Sequence, residues 1–297
     1  MTDVKNVLTS VQRQLEQAGI ESPSAEAAII VSHVLNISRG KLGVLQMLGE
    51  QLDDVMVRQI TDLAQSRATR IPLQHLTGET TFYGVDLKMQ PGVFIPRMET
   101  EVLVETTVHH FASVTTGELK LLDLCTGSGA IAAALADQFS RRNIATRIWA
   151  VDRSVEAVKL ARRNTRDYKV RVLCSDATDT QALRQADPSL ASYEGRLDAV
   201  VANPPYIPTA TPVTQAEAEH DPALALYGGS ADGLVVPLAI AEVAADWLAS
   251  GGFFMMEHDH THSAELAAEL DQNPQWQQVR QVQDLTGTDR FVSAVRA

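Results

Sequence analysis

Apolar residues recur every three or four positions through the first 70 or so residues, the spacing of helices with one buried face. In VKNVLTSVQRQLEQAG, Val4, Val7, Leu8, Val11 and Leu15 share a stripe that stops at Gly19. SPSAEAAIIVSHVLNIS opens with Ser22 as a predicted N-cap and Pro23 at the first helical position. DDVMVRQITDLAQSRAT repeats the spacing at Val57, Ile60, Leu63 and Ala64. These segments predict a small helical bundle over residues 1–71, and it holds no catalytic constellation.

From residue 72 the pattern changes. GETTFYGVDLKMQPGVFIPR, rich in Thr, Phe, Tyr and Val and punctuated by Gly and Pro, predicts a β-hairpin linker over residues 72–98. Past residue 118 strands and helices alternate: LKLLDLC, then GAIAAALADQF; TRIWAVD, then VEAVKLARRNT; VRVLCSD; LDAVVANPPY; PLAIAEVAADWLA, then GGFFMMEH. Such alternation predicts an α/β domain over residues 99–297, a mostly parallel sheet with helices on both faces. Residues 209–233, with their Pro, Gly and Glu, predict a long ordered loop over the site.

Composition adds limits. With 45% hydrophobic and 21% charged residues the balance is that of a soluble globular protein. No apolar run approaches the roughly 18 residues of a membrane span, so no membrane is expected. Met1-Thr2-Asp3 opens no basic, then apolar, leader, and two scattered cysteines, Cys125 and Cys174, form neither a disulfide framework nor a zinc site. A cytoplasmic protein is the expectation. The net charge of −12 shows no basic stripe, so direct contact with free nucleic acid is not expected.

The candidate chemistry lies at predicted strand ends. Asp123-Leu-Cys125-Thr126-Gly127-Ser128-Gly129 joins a strand to a helix, where glycines let backbone approach a ligand. Gly127-Ser-Gly129-Ala-Ile-Ala132 is also a loose dinucleotide fingerprint, so this turn alone is weak. Asp152 closes the second strand, where a carboxylate accepts from ribose hydroxyls, and Asp176 closes the third, where an adenine would lie. These positions suit NAD and S-adenosylmethionine equally.

Asn203-Pro204-Pro205-Tyr206 separates the two. A planar nitrogen is a poor nucleophile because its lone pair is delocalised. The Asn203 side-chain oxygen and the Pro204 carbonyl supply two acceptors for one planar NH2 group, the prolines supply rigidity, and Tyr206 supplies a packing face. Positioning and electrostatics then do the work of catalysis, without a strong base. A hydride-transfer enzyme has no use for such a corner. EHDHTH (257–262) offers three histidines in a loop without fixed convergence, so no metal site is expected. Cys125 is read as a small packing residue.

In this order LDLCTGSGAIA, AVD, SDA and NPPY resemble the class I S-adenosylmethionine-dependent methyltransferases that act on planar nitrogen. PLQHLTGETTFYG, IPRMETEVLVE, ALYGGSADGL and GGFFMMEH are similar to signatures of the HemK/PrmC family, the release-factor glutamine N5-methyltransferases. The resemblance covers residues 72–297, and a small helical N-terminal domain also suits that family. It implies a Rossmann-like sheet and S-adenosylmethionine as cofactor. It further implies methylation of the glutamine in the Gly-Gly-Gln loop of class 1 peptide-chain release factors. A monomer whose helical domain docks the release factor is the expectation.

Carried onto this chain, the resemblance gives Asn203, Pro204, Pro205 and Tyr206 the glutamine side chain, with Asn203, Pro204 and Tyr206 catalytic. It gives the cofactor Asp123, Cys125, Thr126, Gly127, Ser128, Gly129, Asp152, Asp176, Ala177 and Asn203, and has Arg97 and Glu99 shape the substrate pocket. The chain departs from the family pattern in having Cys125 for a glycine, Met98 for a frequent proline, Ala177 for an aromatic in some members and Asp221 for a glutamate. Adenine-N6 methylation of DNA or RNA needs the same corner, and glutamine methylation of a ribosomal protein needs the same site chemistry. Both stand as alternatives, the first opposed by the acidic charge. A non-catalytic cofactor-binding protein is opposed by the intact Asn203 and glycine loop.

Overall fold

The computed structural model describes residues 2–114, 117–211 and 216–297. They form two compact units. The first runs to Glu79 and includes the short turn Ala216–His220; the second holds the remainder from Thr80.

The first unit is built on α1 (Val4–Gln17), α2 (Pro23–Leu35), α3 (Arg39–Leu48), α4 (Asp54–Ala68) and α5 (Leu73–Thr77). A two-residue pairing joins β1 (Thr2–Asp3) to β2 (Gln51–Leu52) between α3 and α4. Four of the five expected stripe residues are buried, with Leu8 half-buried beside them: Val4, Val7, Val11 and Leu15 of α1 pack with Ile30 and Val31 of α2 and Ile60 and Ala64 of α4. Asp3, Ser38 and Asp53 cap α1, α3 and α4 with their side chains. Ser22 sits at the N-cap of α2 without a side-chain bond, and Pro23 at the first helical position has no N–H to satisfy. Buried Arg67 donates to Glu26 at 2.6 Å and to Glu217 at 3.0 Å, and Arg70 reaches Glu217 at 3.2 Å. The pairs hold the Ala216–His220 turn in this unit although Glu217 lies 150 residues from Arg67 and 147 from Arg70 in sequence.

The second unit opens with the hairpin β3 (Glu79–Phe82) and β4 (Val85–Lys88), then α6 (Glu101–His110). The chain then alternates through β5 (Glu118–Leu124), α7 (Ala130–Arg141), β6 (Ala145–Asp152), α8 (Val155–Asn164) and β7 (Val170–Cys174). Two short helices, α9 (Thr180–Ala186) and α10 (Pro188–Ala191), lead to β8 (Leu197–Ala202). After α11 (Ala223–Leu226) come α12 (Val235–Trp247), β9 (Leu248–Glu257), α13 (Ser263–Gln272), β10 (Trp276–Gln283) and β11 (Asp289–Arg296).

Seven strands form one sheet in the order β10-β11-β9-β8-β5-β6-β7. β9, β8, β5, β6 and β7 run parallel; at one end β11 runs antiparallel to both of its neighbours, β9 and the edge strand β10. The sequence pattern predicts no strand beyond GGFFMMEH; in WQQVRQVQ only Trp276 is buried, so β10 shows no apolar alternation. Successive strand residues face opposite sides. Leu121, Ile148, Ala150, Ala199, Val201 and Met255 join the core beneath α6, α7 and α8, while Leu122, Trp149, Val151, Val200, Ala202 and Met256 join that beneath α12 and α13. Strand order reverses between β5 and β8, the position where doubly wound sheets open a crevice at the carboxyl ends of their strands.

Among the described residues no single helix is long and apolar enough to cross a membrane. The expected loop 209–233 is in part outside the described residues, which omit 212–215. Its described remainder carries the Ala216–His220 turn and α11.

Candidate active site at the carboxyl edge of the sheet

Strand register gathers the candidate groups along one edge. Leu124 of β5 pairs with Val151 of β6 and Ala202 of β8; Asp152 pairs with Cys174 of β7; Ala202 pairs with Met256 of β9. Cys125, Asn203 and Glu257 follow one residue beyond these pairs and Asp176 two beyond Cys174, at a common edge. Four separate sequence segments are thereby neighbours.

The glycine turn after β5 is left-handed at three residues: Cys125 at φ +60°, Gly127 at +55° and Gly129 at +81°. A Cβ on Gly129 would stand 3.1 Å from the Ala161 backbone, so this glycine lets α7 and α8 approach closely. A Cβ on Gly127 would meet nothing within 4 Å, so that stretch of backbone faces open space. The Gly127 N–H donates to Asp152 Oδ2 at 2.8 Å and the Ser154 N–H to Oδ1 at 2.8 Å. Each carboxylate oxygen keeps a second lone pair for a ribose hydroxyl. Burial pushes the Asp152 carboxyl up, and these N–H groups and Arg153 oppose it.

Asp123 is fully buried under the turn and accepts from Thr126 Oγ1 at 2.6 Å. Burial pushes its carboxyl up to about 7 against the hydrogen bonds from Thr126 and the Ala132 N–H, with Asp152 adding to the rise. It braces the turn from behind. Cys125 is half-buried, and burial together with Asp152 and Asp123 pushes its thiol well above the ordinary range, which removes thiolate chemistry at neutral pH. At the third strand end Asp176 accepts from the Thr178 N–H at 2.9 Å and hydroxyl at 2.7 Å. Partial burial pushes its carboxyl up, but Thr178 and Arg153 outweigh that and hold it low. Ala177 beside it is buried in the core, while Thr126 and Ser128 are buried within the glycine turn.

An open glycine turn backed by a carboxylate with spare lone pairs, and a second carboxylate one strand over, fit the donor set of a nucleoside. The residues at this edge thus suit S-adenosylmethionine.

The Asn203-Pro-Pro-Tyr206 corner leaves β8 on the other side of the crevice. Asn203 Nδ2 donates to Thr100 Oγ1 at 3.3 Å, Thr100 Oγ1 donates to Glu257 Oε2 at 2.7 Å, and Tyr206 Oη donates to Glu257 Oε1 at 2.9 Å. Glu257 is 2% exposed; burial pushes its carboxyl up, and Thr100, Tyr206 and Arg290 pull it back. Burial, then the Glu257 charge, pushes the Tyr206 phenol well above its usual range, so Tyr206 is a neutral donor.

The corner is braced from outside by Tyr227–Gly233. Tyr206 and Ile207 N–H groups donate to the Leu226 carbonyl at 3.1 and 2.8 Å, and the Gly228 N–H returns to the Ile207 carbonyl at 3.0 Å. Gly228 and Gly233 permit the approach: a Cβ on Gly233 would lie 2.2 Å from the Tyr206 carbonyl oxygen, and one on Gly228 2.1 Å from the Gly233 carbonyl oxygen. Arg97 donates to buried Asp221 at 2.7 Å and lies over the Phe94 ring at 5.2 Å. Glu99 is exposed, and its charge reaches Glu257 and Arg290.

Thr100, Glu257 and Asp221 were not singled out as site residues from sequence. Thr100 and Glu257 stand inside the two quoted segments IPRMETEVLVE and GGFFMMEH, but nothing in spacing shows that a helix start and a strand end meet beside Asn203. The histidines of EHDHTH do not converge: His258 and His262 are buried with ring centroids 5.9 Å apart, His260 faces solvent, and the described residues contain no group of three metal-ligating side chains.

A cofactor cradle on one side of a switch point and a planar-nitrogen corner on the other are the two halves of a methyl transfer, and this domain is a class I S-adenosylmethionine-dependent methyltransferase. The family described as "PrmC N-terminal domain" matches residues 6–78, and the methyltransferase small domain matches residues 84–219. A release factor glutamine methyltransferase from Mycolicibacterium smegmatis is 38% identical over 100% of this chain and 99% of its own length. The Mycobacterium tuberculosis enzyme of that name is 36% identical over 95% of this chain and 88% of its own. One from Deinococcus radiodurans is 36% identical over 99% of both chains. The chain belongs to the release factor glutamine methyltransferase family.

Proposed function

We propose that this protein transfers a methyl group from S-adenosylmethionine to the side-chain amide nitrogen of the glutamine in the Gly-Gly-Gln loop of class 1 peptide-chain release factors. The observation that carries this reading is the Asn203 corner: a rigid turn beside the cofactor cradle, with Tyr206 pinned to a buried carboxylate. Family membership with relatives named for this reaction supports it.

In this reading Asn203 Oδ1 and the Pro204 carbonyl accept the two amide hydrogens of the glutamine, and the Tyr206 ring packs on its plane. S-adenosylmethionine, held by the Cys125–Gly129 turn, Asp152 and Asp176, supplies an electrophilic methyl group. The amide nitrogen gains the N–C bond as the methyl group's bond to sulfur breaks, and its extra proton then leaves to water. The two acceptors draw density toward the nitrogen as positive charge develops there. Proline fixes the Pro204 carbonyl, so little reorganisation is needed at the moment of transfer.

Arg97, tied to Asp221, shapes the rim with Glu99. The helical unit docks the release factor, a role supported by its exposed Val44, Met47, Leu48 and Val55. The enzyme acts as a cytoplasmic monomer and, with its −12 charge, makes no direct contact with nucleic acid. Incubation with S-adenosylmethionine and a release factor, followed by peptide mass mapping, tests the reading. One added methyl on the loop glutamine is expected; methylated DNA, RNA or ribosomal protein with an unmodified release factor overturns it.

A further inference from the structure

We infer that Thr100 and Glu257 are positioning residues that fix which way round the Asn203 amide stands, and that they thereby make the corner selective for an NH2 group over an oxygen. The inference rests on the proposed reading that Asn203 holds the substrate amide.

An asparagine side chain has nearly the same shape after its oxygen and nitrogen exchange places, so sterics do not choose between the two states. The choice comes from a run of hydrogen bonds with one direction. Glu257 accepts on both of its oxygens. It takes the Thr100 hydroxyl proton at 2.7 Å and the Tyr206 hydroxyl proton at 2.9 Å, one on each oxygen. With its single proton committed, Thr100 Oγ1 has only lone pairs left to offer Asn203. The group facing it at 3.3 Å has to be Nδ2. The exchanged state would set two oxygens against each other beside a buried carboxylate, with no proton between them. The directed run leaves Asn203 Oδ1 on the side away from Thr100.

Register makes the arrangement local. Ala202 pairs with Met256, which sets Asn203 and Glu257 side by side as their strands end, and Thr100 stands at the start of α6 with its hydroxyl committed to Glu257 rather than to a helix cap. Thr100 and Glu257 are buried, 2% exposed each, so water does not compete for these bonds. Two acceptors, Asn203 Oδ1 and the Pro204 carbonyl, favour a glutamine amide and repel a glutamate carboxylate. Free exchange of the Asn203 amide would weaken the first effect and relieve the second.

The test compares affinities for two release factors, one with the native Gly-Gly-Gln loop and one with that glutamine changed to glutamate. Both are measured with S-adenosylhomocysteine bound so that no turnover intervenes. Wild type is expected to favour the glutamine loop strongly. Thr100→Val, which keeps shape and removes the hydroxyl, is expected to narrow that preference by about tenfold and to lower kcat by a similar factor, with S-adenosylmethionine affinity unchanged. Thr100→Ser restores both. Should Thr100→Val lose cofactor binding through misfolding, Glu257→Met provides the same readout. It frees the Thr100 proton to turn toward Asn203 Oδ1, and the preference narrows again. An unchanged glutamine-to-glutamate preference in a folded variant overturns the inference. If wild type fails to methylate the native release factor, the functional reading is what fails.

Discussion

Gly233 approaches Tyr206 so closely that a single methyl group on its Cα would stand 2.2 Å from the Tyr206 carbonyl oxygen. Gly233 also holds φ at +79°, so both space and backbone conformation call for glycine. The YGGSADG loop is therefore a brace that presses on the Asn-Pro-Pro-Tyr corner from outside. Gly233→Ala is expected to push the corner out of place, at a cost of about 2–3 kcal/mol. Steady-state kinetics should show kcat falling with S-adenosylmethionine affinity kept, because the glycine turn after β5 is untouched. Wild-type kcat in this variant would show that the corner does not depend on its brace.

Removing the Asn203 side chain separates binding from chemistry. Asn203→Ala deletes one of two proposed acceptors for the substrate amide and leaves Asp152, Asp176 and the glycine turn in place. Transfer is expected to fall by about 10²–10³-fold, the scale seen when one preorganised electrostatic contact is lost. Calorimetric titration should find S-adenosylmethionine bound nearly as in wild type. Loss of cofactor binding with loss of transfer would move Asn203 from the substrate to the cofactor.

Asp123 gives the fold a pH dependence of definite sign. Its carboxyl stands at about 7 in the folded chain against an ordinary 3.8. Between these values the folded state keeps a proton that the unfolded state has lost, so this group's contribution to stability falls as pH rises. The slope is about 1.4 kcal/mol per pH unit, or about 2 kcal/mol from about pH 5 to about 6.5. Urea unfolding without cofactor should show wild type losing this much relative to Asp123→Asn over that interval. Parallel curves for the two proteins would contradict the raised value.

The two cysteines should differ in reactivity. Cys174 is exposed, whereas burial and two nearby carboxylates keep Cys125 protonated. Iodoacetamide at neutral pH is expected to label one thiol in the native protein and both after unfolding. In Cys174→Ser, native labelling should disappear. Rapid native labelling of Cys125 would mean that the turn after β5 opens or that its thiol is activated.

Much of this architecture was legible in the chain because its signals are local. The α1 stripe of Val4, Val7, Val11 and Leu15 is periodic, and each parallel strand is a short apolar run bounded by turn residues. The glycine turn, Asp152 and the Asn203 corner also announce themselves locally, each at the end of its strand. The remainder depends on contacts distant in sequence. Thr100 meets Glu257 across 157 residues and Asn203 across 103, and Arg97 meets Asp221 across 124. The glycines of Tyr227–Gly233 read as loop punctuation until the fold lays them against Tyr206. β10 is illegible for a different reason: as an edge strand with mostly solvent-facing residues, it lacks the apolar alternation that marks a strand.

The central claim, that the corner holds a glutamine amide for methylation, is tested most directly by transfer of labelled methyl from S-adenosylmethionine. A class 1 release factor and its counterpart with the Gly-Gly-Gln glutamine changed to alanine serve as paired substrates. Label is expected in the native release factor, none in the alanine counterpart, and about 10²–10³-fold slower labelling of the native one with Asn203→Ala. Equal labelling of the two release factors would contradict it.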